Sequence, residues 1–222
     1  MRLSNGQTMD VSAVLFDMDG TLVDSTAAVE RVWRRWAARH DLDFGALLAV
    51  SHGRRASDTI ARFAPPGVDH AEENRWMLEA EMVEQDGIIP IPGARRLLAS
   101  LPPGRVAVVT SAARDLALLR LGLAGLVVPN LVIAAEDVTA GKPDPQGYLQ
   151  AARQLGFASE TCLVVEDAPA GLEAGRAAGG RVLALATTLT GAELEAWDWA
   201  PDLDSVQLEP PRTDLPLRLR FA

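Results

Sequence analysis

Short runs of apolar residues recur along the chain at Val11–Phe16, Val106–Val109, Leu131–Ala134, Leu163–Val165 and Val182–Ala186. None alternates strictly between apolar and polar positions, which is the pattern of strands covered by helices on both faces. Stretches of helical spacing follow at Arg114–Leu121, Gln146–Leu155 and Pro169–Ala178. The last opens with proline in its first turn and stops before the Gly179-Gly180 pair, as helices do. Apolar runs alternating with helices predict an α/β fold built on a parallel sheet.

One interval breaks this rhythm. Asp17, after the first run, and Thr110, after the second, are about 90 residues apart, whereas a βαβ unit needs only about 30. The surplus reads as helical. Val29, Val32, Trp33, Trp36, Ala37 and His40 share one face, with Arg31, Arg34, Arg35 and Arg39 mostly on the other. A second helix is expected over Ala71–Glu84, with Trp76, Met77, Ala80 and Val83 as its apolar face. Gly87, Pro90, Pro92 and Gly93 then punctuate the return to the sheet. The organisation predicted is a core of residues 1–23 and 90–222 with a helical domain inserted at 24–89, placed where it can act as a lid. In the tail, Asp202–Leu208 and Leu215–Phe221 are expected to pair as an edge hairpin across Pro210-Pro211.

With 222 residues, 48% hydrophobic and 23% charged, the chain has the balance of a soluble globular protein. A net charge of −9 argues against a general nucleic-acid or anionic-membrane role. Only 5% of residues are aromatic and no basic run carries stacking residues, which again speaks against nucleic acid. Cys162 is the sole cysteine, so no internal disulfide or cysteine-based zinc site is expected. Met1–Asp10 lacks the apolar core of a signal peptide. Leu121–Ala135, uncharged but broken by Gly122, Gly125, Pro129 and Asn130, is too short to span a bilayer. The expectation is a cytoplasmic protein with no membrane partner, monomeric or a weak homodimer. Of 21 basic side chains, only Lys142 is a lysine.

Candidate chemistry gathers where the strands end. The first run leads into Asp17-Met18-Asp19-Gly20-Thr21, two carboxylates at the edge where open α/β sheets bind ligands. Asp-Gly is also a common turn signal. The second leads into Thr110-Ser111, whose hydroxyls and N–H groups suit a phosphate but equally an N-cap. A later strand ends in Glu166-Asp167, adjacent acids that repel unless a cation compensates them. Oxygen ligands of this kind favour Mg²⁺ completed by water and phosphate. Lys142, in Gly141-Lys142-Pro143, is a compact point charge suited to a tight site between carboxylate and phosphate, or an ordinary turn lysine.

Taken in order, Asp17-Met18-Asp19-Gly20-Thr21, Thr110-Ser111, Gly141-Lys142-Pro143 and Glu166-Asp167-Ala168-Pro169-Ala170-Gly171 resemble the motifs of the haloacid dehalogenase-like hydrolase superfamily. The resemblance spans about Val11 to Val206. It implies a Rossmann-like parallel sheet core with an inserted all-helical cap domain. It also implies Asp17 as nucleophile through an aspartyl-phosphate and Asp19 as general acid and base. Mg²⁺ would be held by the Asp17 side chain, the Asp19 carbonyl and Asp167, with Glu166 in support. Thr110, Ser111 and Lys142 would neutralise the phosphoryl oxygens.

Within the superfamily, dehalogenating members lack the second aspartate, present here as Asp19. Phosphonate-cleaving members use a cap lysine, and residues 24–89 contain none. Substrate-facing residues are expected in Ser51-His52-Gly53-Arg54-Arg55, namely His52, Arg54 and Arg55, although solvated arginines would read the same. That tract, with Val29-Glu30-Arg31-Val32-Trp33 and Ile60-Ala61-Arg62-Phe63-Ala64-Pro65, resembles the glycerol-phosphate and 2-deoxyglucose-6-phosphate phosphatases. The implied partner is a small phosphorylated sugar or polyol. A hexose phosphomutase shares the same four motifs and stays open. A phospho-receiver domain fits poorly, because its acceptor aspartate lies on a middle strand and it has no helical insertion.

Overall fold

Residues that alternate between two faces along the strand Ala13–Phe16 decide where the core lies. Val14 and Phe16 pack into one apolar cluster, and Ala13 and Leu15 pack into another on the opposite face. A strand buried on both faces belongs at the centre of a covered parallel sheet. The computed structural model describes residues 1–3, 6–210 and 216–222 and places it there.

In chain order the first strands are β1 (Thr8–Val11), β2 (Ala13–Phe16) and β3 (Val23–Asp24). Four helices follow: α1 (Thr26–Arg39), α2 (Phe44–Ser51), α3 (Ala56–Phe63) and α4 (His70–Val83). Strand β4 (Ile89–Pro90) and helix α5 (Ala94–Ser100) lead back to β5 (Val106–Val109), α6 (Arg114–Leu123) and β6 (Val132–Ile133). Then come α7 (Gln146–Leu155), β7 (Cys162–Glu166), α8 (Pro169–Ala177) and β8 (Arg181–Leu185). The chain ends with β9 (Asp198–Ala200), β10 (Val206–Leu208) and β11 (Leu217–Phe221).

The main sheet has the order β6-β5-β2-β7-β8-β9, with every neighbouring pair parallel. The α/β expectation therefore holds. The C-terminal ends of β2, β5 and β7 sit side by side, so Asp17, Thr110 and Asp167 meet at one edge. The run read as one strand from Val11 is in fact two. The Ser12 N–H bonds to the Thr161 carbonyl at 2.7 Å, and β1 leaves the main sheet to pair with β11. The tail pairing also exists, as β10 against β11, but β11 is the middle of a β1-β11-β10 antiparallel sheet rather than an edge. Leu217, Leu219 and Phe221 face inward and are buried. Leu215, expected in that strand, lies outside the described residues.

Helices α1 to α4 bury a cluster of their own around Val32, Trp33, Trp36, Leu47, Ile60 and Met77. Their entry and exit strands pair with each other, Val23 with Pro90 and Asp24 with Ile89. The insertion is thus joined to the sheet through one two-stranded ribbon.

Candidate active site

Asp17 leaves the end of β2 fully enclosed, 4% exposed. Its Oδ1 accepts a hydrogen bond from the Lys142 ammonium, which also donates to Glu166 Oε1 at 2.6 Å. The Tyr148 hydroxyl donates to the same Glu166 oxygen at 2.8 Å, and the other oxygen accepts from the Asp167 N–H at 3.1 Å. Glu166 is therefore the seat of Lys142. Neighbouring Asp167 accepts from Thr21 Oγ1 at 2.8 Å and from Thr188 Oγ1 at 2.5 Å.

Two glycines make these approaches possible. Gly20 has φ of +83°, and a Cβ there would lie 2.1 Å from Asp167 Oδ2. A Cβ on Gly171 would lie 1.6 Å from Glu166 Oε1. The turn after Asp19 and the first turn of α8 can close on the acids only because both positions lack side chains.

The electrostatics are unbalanced. Ligand atoms of Asp17, Glu166 and Asp167 all lie within 4.8 Å of one another, and all three residues are buried. Burial and the Glu166 charge push the Asp17 carboxyl well above its usual range, against the pull of Lys142. The same two causes raise Asp167 to about 7. Burial would discharge Lys142, but Asp17 and Glu166 outweigh it and hold the ammonium charged. Three carboxylates facing one ammonium leave a surplus of negative charge. Their donors are all hard oxygens, so the set fits a divalent cation such as Mg²⁺.

Asp19 lies outside that cluster. Its carboxylate accepts from Ser25 Oγ at 2.6 Å and from Arg120 Nη1 at 3.0 Å. It faces a cavity of about 360 Å³ between the sheet edge and the insertion. From the core, Asp17, Thr110, Ser111 and Asp167 line it; from the insertion, Trp33, His52, Arg54 and Glu81 do. The two bodies touch directly, since Ser111 Oγ donates to the Gly53 carbonyl at 2.9 Å.

The residues singled out from the sequence border this space, or for Lys142 a smaller pocket that shares Thr110 and Ser111 with it; only Glu166 lines neither and lies fully buried behind Lys142. Those that border the cavity are not equally free. Arg54 is exposed and reaches the cavity wall. Arg55 donates twice to Asp58, at 2.9 Å each, and leans on the Val138 and Thr139 carbonyls across the gap. It bridges the insertion to the core. Sequence reasoning missed Thr21, Ser25, Glu81, Arg120, Tyr148 and Thr188. Arg120 carried a signal, because it falls on the same helical face as Leu116 and Ala117, all three buried.

A family model for haloacid dehalogenase-like hydrolases matches residues 11–179. Hexitol phosphatase A of Escherichia coli (strain K12) is 43% identical over 181 residues, 80% of this chain and 84% of its own length. Glycerol-1-phosphate phosphohydrolase 1 of Saccharomyces cerevisiae is 38% identical over 194 residues, 82% of this chain and 77% of its own. Among solved structures, a hydrolase from Pseudomonas syringae shares the fold with a TM-score of 0.75 at 24% identity. That similarity covers 86% of this chain and 94% of the other.

Proposed function

The chain belongs to the haloacid dehalogenase-like hydrolases, and on that premise we propose that it is a Mg²⁺-dependent phosphatase of small sugar or polyol phosphates. One observation carries the chemistry: a buried carboxylate, Asp17, held by a buried lysine at the floor of a cavity that Thr110 and Ser111 also line. Phosphoryl transfer needs mainly positioning and charge stabilisation, and this set supplies both. The substrate class follows the relatives, which are named for hexitol, glycerol-1-phosphate and 2-deoxyglucose-6-phosphate.

In the first step an Asp17 oxygen forms a bond to phosphorus while the bond to the alcohol oxygen breaks. Asp19 gives its proton to that leaving oxygen. In the second step Asp19 takes a proton from water, which attacks the phosphorus and releases Asp17 and inorganic phosphate. Thr110, Ser111 and Lys142 bind the phosphoryl oxygens throughout. Lys142 keeps its alignment because Glu166 and Tyr148 fix it from behind. Asp17, Asp167 and the Asp19 carbonyl would hold Mg²⁺, with Glu166 in support. When bound, the cation keeps the clustered carboxylates ionised and cancels their repulsion of the phosphate.

The helical insertion then acts as a cap presenting His52 and Arg54 to the hydroxylated end of the substrate, with Arg55 tying that loop to the core. The described helices include none long and apolar enough to cross a membrane. A cytoplasmic enzyme, monomeric or weakly dimeric, agrees with this reading.

The test is phosphate release from a panel of sugar and polyol phosphates with and without Mg²⁺. Asp17→Asn is expected to reduce release to background; turnover retained by that variant would sink the mechanism. Supplying a hexose 1-phosphate and finding free phosphate rather than the 6-phosphate separates the phosphatase from a mutase.

A further inference from the structure

A charged side chain that is almost fully buried on an apolar helix face needs an account, because its desolvation is expensive. Arg120 of α6 is 2% exposed. Its guanidinium spans the two bodies: Nη1 donates to Asp19 Oδ2 at 3.0 Å, and Nη2 donates to Glu81 Oε1, on α4 of the insertion, at 3.1 Å. Its Nε is buried with no partner among the described residues. A leucine there would continue the face formed by Leu116 and Ala117 without any of this cost. The arginine is useful only if its two ends matter.

One end is the carboxyl that moves protons in the mechanism above. Ser25 holds one Asp19 oxygen at 2.6 Å and Arg120 holds the other. A carboxylate has about four lone-pair sites, so two such contacts fix its plane and still leave a site on each oxygen for the reacting group. The other end is the cap. Glu81 is 13% exposed in its side chain, lines the cavity and fixes the direction of the guanidinium. Because Glu81 belongs to the insertion and Asp19 to the core, any movement of the insertion away from the sheet edge would leave the guanidinium with a single anchor.

We propose that Arg120 is a positioning residue for proton transfer: seated by Glu81 of the cap, it aims the Asp19 carboxyl at the leaving oxygen, so that cap closure and completion of the acid are one event. This inference rests on the phosphatase reading and adds to it a residue outside the four motifs. It makes the gain from Arg120 depend on how badly the leaving group needs a proton.

Two esters with one ring each and no hydroxyl groups read that dependence: p-nitrophenyl phosphate, whose leaving group departs without a proton, and benzyl phosphate, whose alkoxide does not. The constant to compare is kcat/KM, which reports only steps up to departure of the alcohol. A misplaced general acid costs on the order of 10²-fold. Arg120→Met is accordingly expected to lower kcat/KM by about 30-fold or more for benzyl phosphate and by less than about 5-fold for p-nitrophenyl phosphate. Arg120→Lys, which keeps the charge but not the fork, is expected to recover part of the benzyl phosphate loss, and it covers the case in which the Met variant does not fold. Glu81→Gln is expected to show the same selectivity at smaller amplitude. Equal losses on the two esters mean a purely structural or binding role and overturn the proposal, as does the absence of any loss. Should the native protein release phosphate from neither ester, the phosphatase reading itself fails, and should Asp17→Asn still hydrolyse both, the Asp17 mechanism fails; each result is distinct from those that bear on Arg120.

Discussion

Gly171 shows how little space the catalytic floor leaves. A methyl group there would sit 1.6 Å from Glu166 Oε1, the oxygen that receives Lys142 and Tyr148. Gly171→Ala must therefore displace the carboxylate and release the lysine from one of its two anchors. The expected result is a fall in kcat of about 100-fold, as for other displaced catalytic groups, with the far-ultraviolet circular dichroism unchanged. A kcat within threefold of the native enzyme would show that Lys142 is aligned without Glu166. At this scale the sequence was legible wherever residue type was unusual for its place. The lone lysine and the paired acids after apolar runs were visible, and Lys142 does meet Asp17. Thr21, Thr188 and Ser25 were not visible, since a hydroxyl near an acid in sequence says nothing about which acid it will meet. Arg120 was visible in principle, as a charge on an apolar face.

Elements were legible to the extent that their polarity was periodic. Helix α7 spans Gln146–Leu155, as its spacing predicts. Helix α2 has no polar face over Phe44–Val50, so periodicity gave no sign of it. Only Asp43, whose side chain accepts from the Gly45 and Ala46 N–H groups at 2.8 and 3.1 Å, marks its start. Helix α4 was expected to bury Val83, yet that residue is 73% exposed at the last position of the helix. The buried row is Glu73, Met77 and Ala80, and it includes an acid. Glu73 is tolerated because Trp36 Nε1 donates to it at 2.8 Å, with the His40 ring 3.0 Å away and Arg39 at 3.3 Å. Burial alone would raise its pKa, but the hydrogen bonds from His40 and Trp36 and the nearby charges bring it below the ordinary 4.5. A carboxylate lowered in this way stabilises the fold above its unfolded pKa, and the contribution is lost as pH falls from about 4.5 through the lower, folded value. Glu73→Gln is thus expected to cost about 1–3 kcal/mol near neutral pH. The difference in melting temperature between native and variant protein should shrink as pH falls through that lower value. A difference that stays constant from pH 7 to pH 3 would mean that the Glu73 charge contributes nothing.

For the whole molecule, the net charge of −9 describes the global field and not the cavity. The acids that matter are gathered at one sheet edge, where a cation and a phosphate can meet, and the arginines facing them come from elements far apart in sequence. Of these, Arg55 is engaged by Asp58 and Arg120 by Asp19 and Glu81, whereas Arg54 is exposed at the cavity wall on the cap side. The cap has its own apolar core and joins the sheet through the single β3–β4 ribbon. On the proposed function, this architecture would separate the tasks: the sheet edge would handle the phosphoryl group, which every substrate shares, and the helical insertion the part by which substrates differ. Arg54→Ala should therefore act on selection alone. A lost contact worth about 1.4 kcal/mol raises KM for a polyol phosphate about tenfold. The kcat for the polyol phosphate should stay within about twofold, because the interaction removed is common to ground and transition states. For p-nitrophenyl phosphate, which has no hydroxyls for the cap to read, both constants should change by less than about twofold. If Arg54→Ala instead slows both substrates equally, Arg54 serves the phosphoryl group or the fold, and the separation of tasks between sheet edge and cap does not run through this loop.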